Sequence, residues 1–141
     1  GYPSLAVSLQ TQICEHFSLS EQVDFSTAAY FTKHFARKLL NGSMPFDVDI
    51  LKVDIPANAT PETEWRLTRQ SRQRYFHVSP ETDPKTGATR IGYKAFVDEN
   101  KVEANSDLRA VLVDGVVSVT PISLDLTSRV DFEQLEALLK A

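Results

Sequence analysis

The residues suited to chemistry are few and scattered. Asp47 and Asp49 stand one residue apart before a β-type run, and Asp54 lies further along it. Side chains two apart on a strand point the same way, so Asp47 and Asp49 could share a hard cation. No third ligand follows at a suitable spacing, and a solvated strand face accounts for the pair more simply. The histidines His16, His34 and His77 are not paired at metal-ligand spacing. His34 falls on a helical pattern, where a surface or boundary role competes with that of a base. His77 ends an arginine-rich run and is a candidate phosphate contact. Cys14 is followed closely by His16, which suits a thiolate nucleophile, but lone cysteines more often serve as buried packing. No Gly-x-Ser-x-Gly, phosphate-loop or Gly-x-Gly-x-x-Gly motif occurs.

The arginines form a denser group. From Trp65 to Lys94 there are seven basic residues and two acidic ones, a balance of +5. The remainder holds eight basic and seventeen acidic residues, a balance of −9, and the whole chain is −4. Arg66, Arg72 and Arg74 would share one face of an extended ribbon, with Arg69 opposite. Trp65, Tyr75 and Phe76 between them could stack on bases, the pattern of a nucleic-acid surface. An inter-subunit ribbon whose arginines meet the acidic remainder fits better, because an acidic chain steers nucleic acid poorly.

These residues need elements to place them. Ser4–Leu9 reads as a short buried strand. Asp24 or Ser26 caps a helix whose Ala28, Phe31, Phe35 and Leu39 line one face, and Asn41-Gly42 stops it. Ile50–Ile55 is a strand with Leu51, Val53 and Ile55 on one side, followed by a loop from Pro56 to Glu64. Trp65–Val78 and Ala88–Val97 flank the turn residues Asp83-Pro84-Lys85-Thr86-Gly87, which predicts a long β-hairpin. An isolated two-stranded ribbon is marginal in water, so it should lie on another surface, that of a second subunit. Ser106-Asp107 caps a short helix with Leu108, Val111 and Leu112 inward. Asp114-Gly115 turns into a strand, Val116–Thr120, closed by Pro121. Asp131 starts a last helix, with Gln134 as capping-box partner and Phe132, Leu135, Leu138 and Leu139 as its stripe.

The 141 residues suit one domain, and 42% apolar with 24% charged residues is ordinary for a folded one. No run approaches the roughly 18 apolar residues of a spanning helix. The single cysteine excludes an internal disulfide and a cysteine-rich zinc site, and suits a reducing, cytoplasmic compartment. A chain that opens almost inside its own core suggests a fragment.

Four stretches together resemble the survival protein E (SurE) nucleotidase family. Gly1-Tyr2-Pro3-Ser4-Leu5-Ala6-Val7-Ser8-Leu9 is similar to the family's Gly-Ile-Pro-Ala-Ile-Ala-Val-Ser-Leu strand. Leu51-Lys52-Val53-Asp54-Ile55-Pro56 is similar to its Leu-Asn-Val-Asn-Val-Pro. Thr68-Arg69 matches the Thr-Arg opening of its long hairpin. Ser106-Asp107, Gly115 and Val117-Ser118-Val119-Thr120-Pro121-Ile122 resemble its Thr-Asp, Gly and Ser-Val-Thr-Pro-Leu. Lys52 and Asp54 replace two asparagines, and the Tyr-Trp of the family's returning hairpin strand has no counterpart in Ala88-Thr89-Arg90-Ile91-Gly92-Tyr93.

The resemblance implies an α/β fold: the C-terminal part of a SurE-like, Rossmann-like fold with a protruding hairpin and a C-terminal helix. Residues 1–64 and 103–141 would form the α/β part, and 65–102 a hairpin extension used in oligomerisation. The implied activity is that of a metal-dependent 5′-nucleotidase that hydrolyses nucleoside monophosphates, with magnesium or manganese in the complete protein. Its subunits would pair as a homodimer or tetramer through hairpin and C-terminal segment, without nucleic acid or membrane. The family's Asn-Asp-Asp-Gly motif, its serine and its Ser-Gly-x-Asn asparagine all precede the position matching Gly1. No adjacent Asp-Asp occurs in the chain. No catalytic or metal residue is therefore expected in this chain, which alone should be inactive. Ser8, Ser118 and Thr120, at strand ends, are candidate pocket-lining hydroxyls, or else satisfy local backbone groups. The other class of reading is a non-catalytic oligomerisation or nucleic-acid-binding module built on the basic hairpin.

Overall fold

A computed structural model describes residues 4–12 and 21–140 of the chain. Its order is β1 (Ser4–Leu9), α1 (Ser26–Asn41), β2 (Ile50–Ile55), β3 (Trp65–Leu67), β4 (Phe76–Thr82), β5 (Thr89–Ala95), a π-helical turn (Arg109–Val113), β6 (Val117–Ile122) and α2 (Phe132–Lys140). Four strands make a mixed sheet in the order β1-β2-β6-β3, and β4 and β5 make a sheet of their own. Strand β1 runs parallel to β2, β2 antiparallel to β6, and β6 parallel to β3. The fold is α/β.

The core lies between this sheet and α1. Alternation puts Leu51, Val53 and Ile55 of β2 on one face, beside Val117 and Val119 of β6, against Ala28, Phe31 and Phe35 of the helix. Val53 and Ile55 are fully buried, and each such side chain contributes about 1.5–3 kcal/mol by leaving water. Helix α1 has no glycine or proline in its sixteen residues. The N-cap position is Phe25, not Asp24 or Ser26, and its side chain makes no cap bond; Asp24, one residue earlier, accepts the Ser26 N–H on Oδ1 at 2.8 Å. Gly42 follows its end in an extended conformation rather than a left-handed one. Glycine is needed there for space: a Cβ would meet the Lys38 carbonyl oxygen at 2.9 Å.

Several expectations are corrected. Strand β1 is a half-exposed edge rather than a buried strand, with Ser4, Ala6 and Ser8 on its open face. Trp65–Val78 does not form one hairpin flank. Trp65–Leu67 joins the main sheet beside β6, and Trp65 sets its ring edge-on to Phe35 at 5.4 Å. The ribbon itself starts at Phe76. Strand β6 is not closed by Pro121 but runs through it to Ile122. The paired part of β3 ends at Leu67, opposite Val119, so Pro121 leaves no N–H of that ladder unmade. In the turn after Asp107 the fully buried residue is Ala110, while Leu108, Val111 and Leu112 are half-exposed. Asp131 caps α2 through the N–H groups of Glu133 and Gln134, at 2.9 and 3.2 Å.

Candidate functional site

The parallel pair β1 and β2 ends at Leu9 and Ile55, and the Gln10 N–H continues the ladder to the Ile55 carbonyl at 2.8 Å. Carboxyl ends of parallel strands are where ligands bind in open α/β sheets. A cleft of about 470 Å³ opens there. One wall is polar, with Ser8, Lys52, Asp54 and Asp107; the other is Tyr75, Phe76 and the aliphatic side chains of the π-helical turn. Leu108, Val111 and Leu112 stay half-exposed because they face this cleft instead of the core.

Lys52 is the centre of the polar wall. Its Nζ lies 2.7 Å from Asp54 Oδ2 and 2.8 Å from Asp107 Oδ2. Lys52 and Asp54 are two apart on one strand and so share a face. Asp107 comes from the helical residues that lead into the π-helical turn. Its other oxygen accepts the N–H groups of Ser71 and Leu108, both at 2.8 Å. Burial works against the Lys52 charge, but the hydrogen bonds to Asp107 and Asp54 outweigh it and raise the pKa above the ordinary 10.5. Burial likewise works against the Asp107 charge, yet the Lys52 and backbone hydrogen bonds hold its pKa below the ordinary 3.8. One lysine against two aspartates gives the triad a formal charge of −1. In the sequence Asp54 stands out as a carboxylate beyond Asp47 and Asp49, and Lys52 and Asp54 as departures from two asparagines. Nothing in the spacing linked them to Asp107, which reaches them through the chain's return from the ribbon.

The other candidates fall elsewhere. Ser8 lines the cleft beside Asp54, its register partner on β2. Ser118 and Thr120 do not line it; they are buried in β6 and form a hydroxyl triangle with Thr68: Thr68 Oγ1 lies 2.8 Å from Ser118 Oγ and 2.7 Å from Thr120 Oγ1. Asp47 and Asp49 do not converge on a cation. Asp47 pairs with Arg129, and Asp49 Oδ2 accepts the Leu124 N–H at 2.7 Å, so both fasten the chain after β6. His34 stacks on Tyr30 and sets its ring edge-on to Phe35. His77 shares a hydrogen bond with the Arg74 carbonyl at 3.2 Å and sets its ring against Phe96. Cys14 and His16 lie outside the described residues. Arg66 does not share a ribbon face with Arg72 and Arg74: it sits in the main sheet and pairs with Asp114, which also accepts from Arg109 Nε at 3.1 Å. The continuous arginine face that a nucleic-acid ribbon requires is not formed. Among the described residues no three His, Cys, Asp or Glu side chains converge to hold a metal ion.

A family model described as survival protein SurE matches residues 1–77. The chain belongs to the SurE family. SurE relatives match along nearly its full length. It is 38% identical to the 5′-nucleotidase SurE of Thermococcus kodakarensis, over 99% of this chain and 53% of that protein. It is 39% identical to that of Thermococcus gammatolerans, over 99% of this chain and 52% of that protein. The crystal structure of the SurE protein from Aquifex aeolicus superposes with a TM-score of 0.65 at 29% identity, over 99% of this chain and 52% of that one. The chain spans about half the length of the curated SurE relatives it matches. Among the described residues no helix is long and apolar enough to cross a membrane.

Proposed function

We propose that the chain is the C-terminal portion of a metal-dependent 5′-nucleotidase, a phosphomonoesterase of nucleoside monophosphates. The observation that carries this is the two-walled cleft at the carboxyl ends of β1 and β2, in a chain whose relatives are named 5′-nucleotidases. A nucleoside monophosphate has two halves of matching character. Tyr75, Phe76 and the aliphatic wall take the base by stacking and burial. The Ser8 hydroxyl stands on the polar wall, where it can donate to a phosphate or ribose oxygen.

The triad's net negative charge disfavours a phosphate dianion on its own. A divalent cation would offset that charge and, when bound, polarises the phosphoryl oxygens and supplies an activated water. The described residues do not fit such an ion, since no cluster of ligands converges among them. We assign its ligands to the half of the family that this chain does not span. The chain's own contribution is to shape and orient. Asp54 and Asp107 hold Lys52 extended along the polar wall, and Asp107 ties the Ser71 loop and the π-helical turn to it. We further propose a homodimer or tetramer built through the ribbon and α2, working in the cytoplasm. The support is that both elements keep their apolar side chains exposed and that the one cysteine needs no oxidising compartment.

The test is phosphate release from nucleoside monophosphates by the full-length protein. Release with magnesium or manganese, abolished by chelator, is expected. Ser8→Ala should raise KM several-fold. A full-length protein that releases phosphate from no nucleotide under these conditions sinks the reading.

A further inference from the structure

A second cleft, of about 730 Å³, opens at the carboxyl ends of the other parallel pair, β3 and β6. Because β6 runs antiparallel to β2, this cleft lies at the opposite edge of the sheet from the first. Thr68, Arg69, Arg72, Asn105, Thr120 and Ser123 line it, without a carboxylate. Lys52, Arg66, Arg109 and Arg129 each pair with aspartate. Arg69 and Arg72 have no such partner among the described residues.

Their backbone is nonetheless fixed. The Arg69 N–H donates to the Asn105 carbonyl, and the Arg69 carbonyl accepts the Asp107 N–H, both at 2.8 Å. The Arg72 N–H donates to Glu103 Oε1 at 3.1 Å, while Ser71 Oγ donates to Oε2 at 2.7 Å. Glu103 thus uses its oxygens on the loop backbone and Ser71. Two free guanidinium forks stand on an anchored loop. Beside them the Thr68, Ser118 and Thr120 hydroxyls carry three protons. The two short bonds of that triangle use two; its third edge, Ser118 to Thr120, is 3.4 Å. All three oxygens are hydrogen-bonded within the triangle, at a buried strand end that borders the cleft.

We propose that this cleft is a phosphate-binding site separate from the nucleotidase cleft, with Arg69 and Arg72 as its forks and the Thr68–Thr120 hydroxyls at its base. Planar guanidinium forks match phosphate oxygens in pairs. Leu67 and Ile122 at the rim give room for an organic group carrying the phosphate. The site does not depend on the activity proposed above, because its test reads binding and not turnover.

The experiment is NMR of arginine side-chain Nε–Hε resonances in the full-length protein, kept in chelator. Inorganic phosphate and a nucleoside monophosphate are titrated separately. Saturable shifts at both Arg69 and Arg72 are expected, and the tighter of the two probes identifies the source as free or organic phosphate. Arg72→Gln should weaken the response at Arg69 by at least about tenfold, the loss of a charge-assisted hydrogen bond; Arg69→Gln should do the same at Arg72. The double variant Arg90→Gln/Lys94→Gln, which removes two ribbon charges, should leave the affinity unchanged. Both Arg69 and Arg72 are exposed, so their variants should keep the wild-type melting temperature. No saturable shift with either probe would overturn the proposal. So would equal weakening by the ribbon double variant, which would mean nonspecific charge attraction.

Discussion

The sheet with α1 and the ribbon with α2 use the same kinds of residue to opposite ends. In the first, Phe31, Val53, Ile55, Val117 and Val119 are all but sealed from water. In the second, Val78, Ile91, Tyr93 and Phe96 of the ribbon stay more than half exposed, and Phe132, Leu138 and Leu139 of α2 are 63%, 74% and 75% exposed. Both regions have regular hydrogen bonding and good local signals. What separates them is whether an apolar face meets another apolar face within the chain. Helix and ribbon formation is therefore local, while the stability that burial supplies is a property of the pairing.

That contrast can be broken by substitution. The largest effect is expected at Phe31→Ala, which should cost about 3–5 kcal/mol in chemical denaturation by opening a cavity under the sheet. Next comes Asp107→Ala, about 1–3 kcal/mol, since it strands the Ser71 and Leu108 N–H groups and takes one partner from Lys52. Asp107 also sets a pH dependence. Its folded pKa is below 3.8, so its contribution is full above about pH 4 and is lost as pH falls through the folded value. Acid titration of Asp107→Asn should show a shallower loss of stability below pH 4 than the parent. Gly87→Ala follows, at about 1 kcal/mol, because Gly87 has φ +69° at the ribbon tip. Hydrogen exchange should quicken in β4 and β5 while α1 stays protected; equal quickening in α1 would show that ribbon and core unfold together. The smallest effect is expected at Phe132→Ala, within about 0.5 kcal/mol for an unassociated subunit. If it instead matched Phe31→Ala, α2 would be packed in solution and the contrast would be lost.

The same distinction explains what was legible in the sequence. The elements of the core were readable because period and burial coincide: Leu51, Val53 and Ile55 alternate, and Ala28, Phe31 and Phe35 recur at helical spacing. Trp65–Leu67 was absorbed into a hairpin because a three-residue strand leaves too short a pattern and the same arginine-rich composition runs on past it. Pro121 was read as a stop because its missing N–H usually ends a ladder, and only the length of β3 makes that harmless. At the site, Ser8 stood out by its place at a strand end. The Lys52–Asp54–Asp107 triad was only half visible, since two members share a strand face but the third lies 55 residues from Lys52. Distances of that kind are set by how the chain returns, which residue spacing does not record. The hydroxyl triangle was hidden for the same reason: Ser118 and Thr120 were marked, but Thr68 belongs to another strand's end.

We propose that this chain shapes a nucleotide cleft and that the metal chemistry acting in it comes from outside these residues. The direct measurement is hydrolysis of a generic phosphomonoester by the 141-residue chain alone, with manganese or magnesium and then with chelator, beside the full-length protein. No turnover by the chain and chelator-sensitive turnover by the full-length protein are expected. Chelator-sensitive turnover by the 141 residues themselves would contradict the proposal, and would place metal ligands within this chain.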